Sequence, residues 1–487
     1  NRQMDHLRKQ YNKMSPAVRN SVWFTFCNFL QRGLSFLTVP VFTRLLTTEE
    51  YGICNVYFAW FEVFVLFTSL KIPYEGLNNG LIRYEEDKDG YTSSVMGLVM
   101  SLTVLMFGVY HLVNRWIDPV TGLDRRLMLL MFVQLMFQPA LMLWTNRQRF
   151  DFEYRKPVIV TVLSTVLNLV VTVLAVLNTS YKAEARIGGF VIVQSLFGMV
   201  SAVVLLVRGK TFYKKEYWKF VLGFNLPLIF YYISQMVMGQ SDRILINYFE
   251  GSGKAAVYGV AYSAATIVQL AISSVNGSLY PWIYKKLKEK KVREIRSMTP
   301  QIGILVGGVT LLAGLLAPDI VRIMATEEYM EAVWIIAPVS AGVFFSFLYM
   351  LFASVEMYYG ENRGISLISV LCSAVNIVLN FAGIQVFGYY AAGWVNLFSY
   401  MLLALLHYLL MRRICRAHHI AGGILDERFL AAVSAGIFLM SFAVMALYRL
   451  GNVRYLVLLL IIAAVCFSRK KLYRLLRQIR KGETNEG

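Results

Sequence analysis

Residues 157–178 read PVIVTVLSTVLNLVVTVLAVLN, an apolar run without a charged side chain. Arg155 and Lys156 stand immediately before it, and Lys182 follows shortly after it. A helix of about 20 residues rises roughly 30 Å, which is the thickness of the hydrocarbon layer of a membrane. The run is therefore long enough to cross a bilayer, and its basic flanks are typical of transmembrane helix ends.

Similar apolar blocks recur along the whole chain of 487 residues, of which 57% are hydrophobic and 16% charged. A typical soluble domain has about 25% charged residues. Transmembrane helices are predicted at 19–45, 51–72, 91–115, 125–146, 157–178, 187–207, 218–240, 255–283, 301–323, 332–358, 364–386, 388–411, 429–448 and 453–468. The predicted fold is an all-α polytopic membrane protein of about 14 transmembrane helices.

The net charge of +19 is concentrated in alternate connections, such as the loop at 285–296. Because Lys and Arg accumulate in cytoplasmic loops, this pattern predicts that both termini are cytoplasmic. It also favours contact with anionic membrane lipids over nucleic acid, for which no binding signature is present. The tail at 469–487 is predicted to place a basic amphipathic helix on the inner headgroups; a simply solvated tail is the alternative.

Two stretches of the chain resemble each other. Tyr51-Gly52 is followed by Ser69-Leu70 and a proline, and Tyr258-Gly259 is followed by Ser278-Leu279 and a proline. Each stretch lies at the beginning of one half of the chain, and both halves are predicted to begin on the cytoplasmic side of the membrane. This predicts a parallel repeat, a substrate cavity between the halves and alternating access. A duplication kept for packing alone is the alternative. The predicted domains are a cytoplasmic N-terminus (1–18), two six-helix bundles (19–207 and 208–411), two additional helices (412–468) and the tail.

Cations and amides inside the apolar blocks are the predicted substrate ligands. Arg32 is the deepest cation, and a guanidinium holds phosphate oxygens in a fork while it keeps its charge. A structural ion pair between Arg32 and Glu62 is the alternative. Residues predicted to contact a phosphate-bearing substrate or its sugars are Arg32, Lys71, Arg243, Asn225 and Asn276. Most other intramembrane amides are expected to join helices.

Three carboxylates are candidates for binding a coupling ion, H⁺ or Na⁺: Glu62, Asp242 and Glu356. Charged groups in hydrocarbon are costly and usually face the bundle interior. Interhelical hydrogen bonds are the alternative for the two glutamates. Asp242 and Arg243 are expected at the outer end of the seventh helix, in front of an outer loop at 246–254. Neighbouring residues on a helix need not pair with each other, and an anchor at the outer interface is the alternative for Arg243, which matches Arg44 in the repeat.

The sequence has no catalytic motif, such as a P-loop, GxSxG or HExxH, and no long extramembrane loop. Five scattered cysteines and five histidines do not have metal-ligand spacing. The sequence therefore predicts no enzyme activity, no cofactor and no metal site. Prolines at 40, 139, 227 and 338 are expected to interrupt their helices.

The segment NFLQRGLSFLTVPVFTRLLTTEEYGICNVY (28–57) resembles the N-terminus of Wzx-like polysaccharide-unit flippases of the multidrug/oligosaccharidyl-lipid/polysaccharide (MOP) exporter superfamily. The shared pattern is Pro40, the helix end Thr43 to Leu46 and the turn Glu49 to Gly52. Residues 240–285 resemble the segment of helices 7 and 8 in the same family.

The resemblance implies translocation of undecaprenyl-pyrophosphate-linked oligosaccharide from the cytoplasmic to the outer leaflet of a bacterial inner membrane. It also implies a cation-lined cavity, ion-coupled antiport, and possible encounters with a polysaccharide polymerase or glycosyltransferases. A peptidoglycan-precursor or sporulation lipid flippase, a multidrug/cation antiporter of the same superfamily, and a membrane glycosyltransferase or polymerase are the alternatives.

Overall fold

A computed structural model describes residues 38–151, 153, 155–420, 423–451 and 453–460. Five predictions lie wholly or partly outside these residues: the N-terminal segment at 1–18, the site residue Arg32, the first helix, the last helix and the amphipathic tail. The described part of the chain is helical and contains no strand.

Fifteen α-helices that lie within the described residues are numbered here in chain order. They are α1 (Thr48–Ser69), α2 (Leu77–Arg83), α3 (Lys88–Thr121), α4 (Arg125–Phe150), α5 (Arg155–Leu177), α6 (Lys182–Gly209), α7 (Lys215–Asn225), α8 (Ile229–Glu250), α9 (Ser252–Lys288), α10 (Val292–Leu315), α11 (Ala317–Met324), α12 (Val333–Tyr358), α13 (Asn362–Phe387), α14 (Tyr390–Ala417) and α15 (Glu427–Tyr448). Helical segments at 38–45 and 453–460 flank this series.

Twelve spans of the described residues are long and apolar enough to cross a membrane. They coincide one by one with the second to the thirteenth predicted helix. The prediction of an all-α polytopic membrane protein is therefore confirmed. The chain satisfies its backbone hydrogen bonds inside each helix, which is what the hydrocarbon layer requires.

The predicted outer loop at 246–254 is wrong. Helix α8 continues to Glu250, α9 begins at Ser252, and Gly251 alone connects them with a φ of 87°. The left-handed conformation suits glycine, which has no Cβ to clash with the following carbonyl. Asp242 and Arg243 consequently lie within α8, about two turns before its end.

Proline 227 does interrupt its helix, since a short 3₁₀ turn at Leu226–Leu228 separates α7 from α8. Pro139 and Pro338, in contrast, lie inside the continuous helices α4 and α12. A proline removes one backbone donor and the neighbouring turns absorb the bend, so a kink without a break is possible in lipid.

Contacts divide the chain into two compact units. The first unit contains residues 1–236 and 251–253, and the second contains residues 237–250 and 254–487. In the first unit, α6 packs against both α4 and α5. The predicted domain boundaries at 207, 411 and 468 concern the membrane topology and stay predictions.

The end of α1 in the first unit has an unusual backbone. Leu70 and Lys71 are consecutive non-glycine residues with positive φ, at 49° and 55°. The chain then enters a π-helical turn at Ile72–Gly76. Such strained positions persist only where the surroundings fix them. Here a core of α2, α3, α4 and α7 side chains packs around Leu70 and Ile72.

Helix α12 forms the centre of the second unit. In the apolar 18-residue stretch of this membrane span, 89% of the residues are buried. Helix α12 packs against α10, α13, α14 and α15. Small residues permit the closest of these contacts, because Gly342 of α12 faces Asn396 and Gly393 of α14 faces Ile335. Small interfacial residues let transmembrane helices approach closely and gain dispersion energy.

Candidate functional site

A buried carboxylate lies at the centre of a polar cluster in the second unit. Asp242 of α8 is 2% exposed, and it accepts hydrogen bonds from the Tyr258 hydroxyl and from Nδ2 of Asn380 at 2.5 Å. Asn396 of α14 also lies within hydrogen-bonding reach of this carboxylate. Asp242 thus bonds across helices to side chains of α9 and α13, and its neighbour Arg243 points elsewhere.

The cluster continues along α13 and α14. Oδ1 of Asn376 accepts hydrogen bonds from the Ser241 hydroxyl at 2.9 Å and from Asn380 at 3.2 Å. Nδ2 of Asn376 donates to the Ser399 hydroxyl at 3.0 Å. The spacing explains the arrangement, because Asn376 and Asn380 are four residues apart and lie on one face of α13. We name the Asp242 cluster as Ser241, Asp242, Tyr258, Asn376, Asn380, Asn396 and Ser399.

The chemistry of the Asp242 cluster suits a small hard cation. Carboxylate, amide and hydroxyl oxygens are the ligands that such ions prefer. Oδ1 of Asn380 is buried and has no hydrogen-bond partner, which leaves one oxygen available. The two ends of an amide are assigned from the hydrogen-bond network, so each asparagine can present its oxygen instead of its nitrogen. No group of three or more His, Cys, Asp or Glu that could bind a metal occurs among the described residues.

Arg243 occupies a different surface of α8. Its Nη1 donates to Oε1 of Gln240 at 2.9 Å, and its guanidinium lies 4.3 Å from the ring centre of Tyr262. The side chain is half-buried. Cation–π contact stabilises a guanidinium without neutralising it. The guanidinium of Arg243 is thus held by a neutral amide and an aromatic ring.

Glu356 and His407 form a second buried polar pair in this unit. Both side chains are completely buried, and Oε2 of Glu356 lies 2.7 Å from Nδ1 of His407. Oε1 of Glu356 and Nε2 of His407 have no hydrogen-bond partner. The pair joins α12 to α14.

Asn225 and Lys71 meet in the first unit at the strained end of α1. Nδ2 of Asn225 donates to the main-chain carbonyl of Leu70 at 2.8 Å, and Asn225 is completely buried. Lys71 is half-buried, and its ammonium lies 5.5 Å from the ring centre of Tyr74. The amide thus fixes the backbone that presents Lys71.

The remaining two described candidates are separate from these groups. Glu62 is exposed on α1. Asn276 of α9 is buried, and its Nδ2 faces the Met350 sulfur at 3.8 Å while its Oδ1 has no partner. Neither lies in the Asp242 cluster.

Sequence reasoning had picked out Asp242 and Glu356 but not their partners. From the sequence, Asn376, Asn380 and Asn396 belong to the intramembrane amides of which most are expected to join helices, and His407 belongs to the histidines without metal-ligand spacing. The spacing of four between Asn376 and Asn380 on an otherwise apolar helix was a usable signal. Nothing in the sequence connected these residues to α8, because the contacts cross long stretches of chain.

Comparison with known proteins gives a family match. A family model described as "Polysaccharide biosynthesis protein" matches residues 17–287. Among curated proteins, "Lsg locus putative protein 1" of Haemophilus influenzae is 26% identical over 181 residues, which are 35% of this chain and 45% of that protein. An "Uncharacterized membrane protein" of the same organism is 21% identical over 370 residues, 74% of this chain and 88% of that protein.

Solved structures share the fold. The lipid II flippase MurJ in an inward closed conformation matches with a TM-score of 0.69 and 12% identity, covering 93% of this chain and all of that one. An inward-facing multidrug resistance MATE family transporter of the MOP superfamily matches with a TM-score of 0.61 and 14% identity, covering 80% of this chain and 96% of that one.

Proposed function

Because the chain belongs to the polysaccharide biosynthesis protein family, we propose that it moves undecaprenyl-pyrophosphate-linked oligosaccharide units from the cytoplasmic to the outer leaflet. The observation that carries the proposal is the family match over more than half of the chain. A fold like that of a lipid II flippase supports it, since lipid II is also a lipid-linked saccharide. The task is transport rather than catalysis, by alternating access in the bacterial inner membrane.

The proposed substrate contacts combine cations for the pyrophosphate with amides for the sugars. Arg32, Lys71 and Arg243 supply charge, and a guanidinium pairs with phosphate more strongly than a neutral donor does. Support for Arg243 comes from its half-buried position on Tyr262, which leaves its charge unneutralised. Asn225 and Asn276 each have a buried side-chain oxygen without a hydrogen-bond partner, an acceptor that alternating access would have to expose before a substrate hydroxyl could bind to it.

The Asp242 cluster is the proposed site of the coupling ion, H⁺ or Na⁺. A bare carboxylate inside a membrane span is costly, and a bound cation offsets that cost. Coupling requires the ion to bind one conformation better than the other. The cluster can meet that requirement because its ligands come from α8, α9, α13 and α14, so a shift of one helix changes the set of ligands.

The other two carboxylates are secondary proposals for the coupling ion. Glu356 has a partner that can accept or return a proton. Glu62 is exposed and lies near enough to Tyr74 to affect it electrostatically. The glycosyltransferases that build the saccharide and the polymerase that consumes it are the proposed functional partners.

The test is translocation of a fluorescent pyrophosphate-linked oligosaccharide by the full chain in proteoliposomes, with and without an imposed Na⁺ or H⁺ gradient. The wild-type protein is expected to expose the lipid to an external quencher faster than protein-free vesicles do. Export of an organic cation without movement of the lipid would replace the proposal with the multidrug antiporter. Movement of neither substrate would also contradict it.

Two variants, each with a matched control, assign roles in the same assay. Asp242→Asn is expected to abolish the response to the gradient, whereas Glu328→Gln, which changes an exposed carboxylate of the same unit, should behave as wild type. Arg32→Ala is expected to abolish translocation, with exposed Arg208→Ala as its control. A gradient response that survives Asp242→Asn would remove the Asp242 cluster from the coupling mechanism.

A further inference from the structure

A cavity of about 520 Å³ lies inside the first unit, and none of its described lining residues belongs to the Asp242 cluster. It has the size of a typical small-molecule site. Helix periodicity builds its walls: Arg186, Phe190 and Gln194 recur every four residues on α6. Facing them on α5 are the polar side chains Thr165, Asn168 and Thr172. The close approach of Gly189 to Thr172 holds the two helices together beside the cavity.

Arg186 is the charged group of this cavity. Its guanidinium lies 4.4 Å from the ring centre of Phe42 and 4.7 Å from that of Tyr51. Its Nη1 is buried and has no hydrogen-bond partner, and the lining among the described residues contains no carboxylate. A buried guanidinium nitrogen without an acceptor is costly, and an anion that reached it would recover that cost.

The other walls suit a sugar ring. Oδ1 of Asn168 is buried without a partner and can accept a hydrogen bond from a hydroxyl group. Gln194 and the threonine hydroxyls supply further donors and acceptors. Phe58 and Phe190 pack edge to face, with ring centres 5.0 Å apart, and present apolar surface to the same space.

We propose that the cavity between α5 and α6 binds a saccharide unit that carries a carboxylate, with Arg186 on the carboxylate and Asn168 and Gln194 on the hydroxyl groups. A planar carboxylate matches the guanidinium fork with two parallel hydrogen bonds. The source of such a saccharide, an acidic sugar of the carried oligosaccharide, rests on the proposed function. The binding site itself does not, because it can be measured without transport.

The experiment is calorimetric titration of the detergent-solubilised full chain with methyl glucuronide, its neutral analogue methyl glucoside and inorganic phosphate. The wild type is expected to bind the glucuronide at least tenfold more tightly than the glucoside. Arg186→Gln should abolish this preference, and Arg208→Gln, at the exposed far end of the same helix, should retain it. Asn168→Asp, which is nearly isosteric, should also lose glucuronide binding through repulsion, so a folding defect in one variant leaves the proposal testable.

Equal binding of the two glycosides, or a preference that survives Arg186→Gln, would overturn the proposal. If inorganic phosphate binds the cavity more tightly than the glucuronide and displaces it, the cavity is a simple anion site and not a saccharide site. If the binding results hold while lipid translocation is absent, the cavity stands and the proposed function falls. If the lipid is translocated but the glucuronide does not bind, the proposed function stands and the proposed saccharide site is wrong.

Discussion

The carboxylate of Glu356 and the imidazole of His407 lie 2.7 Å apart, and both side chains are completely buried between α12 and α14. Each is the partner that makes the burial of the other tolerable. Removing one partner of a buried charged pair leaves an uncompensated polar group, which commonly costs 3–5 kcal/mol. The contact therefore gives a prediction about stability that does not depend on the transported substrate.

His407→Phe is expected to destabilise the protein by about 3 kcal/mol, because it leaves the Glu356 carboxylate buried without a partner. Thermal unfolding in detergent measures this loss. Combining His407→Phe with Glu356→Leu should restore most of the stability, since two apolar side chains of suitable volume can replace a buried pair. Losses that simply add in the double variant would show that the two residues do not interact.

Asn380→Leu is expected to weaken the apparent affinity of transport for the coupling cation about tenfold or more. The change removes a hydrogen bond to a charged group, worth about 1.5–3 kcal/mol, and one potential oxygen ligand. The measurement is the Na⁺ or H⁺ concentration that gives half-maximal translocation. Gln385→Leu removes an exposed amide from the same helix and is the control. An unchanged cation dependence in Asn380→Leu would contradict the proposed site.

Lys71→Gly separates strain from function at the end of α1. Glycine adopts positive φ without a Cβ clash, so the substitution should stabilise the fold by up to about 1 kcal/mol. Translocation should nevertheless fall, because the proposed phosphate contact is lost. Lys210→Gly, at a position with a φ of 49° that ends α6, should give a similar gain in stability and normal translocation. Normal translocation in Lys71→Gly would assign Lys71 a purely structural role.

The turn between α9 and α10 gives a prediction about pH. Lys291, at 2.9 Å, and then Lys286, at 3.4 Å, hold the pKa of the Glu289 carboxyl below its usual value of 4.5. A lowered pKa means that the ion pairs stabilise the fold above the unfolded-state pKa and are lost as pH falls through the folded-state pKa. Glu289→Gln should thus lower the thermal midpoint slightly at pH 7, less at high salt, and not at all once Glu289 is protonated. A difference that persists at the acid end would contradict this pairing.

The helices could be predicted from the sequence because the length and hydropathy of each apolar block are enough to identify a transmembrane helix. The exception at 246–254 has a physical reason. Nothing in that stretch prevents a helix, and Gly251 alone is enough to reverse the chain. The prediction therefore located the turn and overstated its length.

The candidate site was harder to predict from the sequence than the fold, because the residues that contact each other in it are far apart along the chain. Asp242 bonds to Asn380 across 138 positions, and periodicity cannot show which faces of two apolar helices meet. Arg186 stands near a helix start, where a cation is the usual interfacial anchor. Only the rings of Phe42 and Tyr51 and the adjoining cavity reveal its unusual surroundings.

The burial of α12 has a consequence for how the protein is made. Synthesis proceeds from the N-terminus, so α12 enters the membrane before α13, α14 and α15 exist to surround it. Until those helices arrive, lipid tails must cover the surface that they later occupy. With a mean hydropathy of 2.0 in its span, α12 is apolar enough to contact lipid directly. Gly342 has no side chain, which allows α14 to pack closely against α12 later. A chain that ended between α12 and α14 would therefore leave in contact with lipid the surface of α12 that α14 covers in the complete fold.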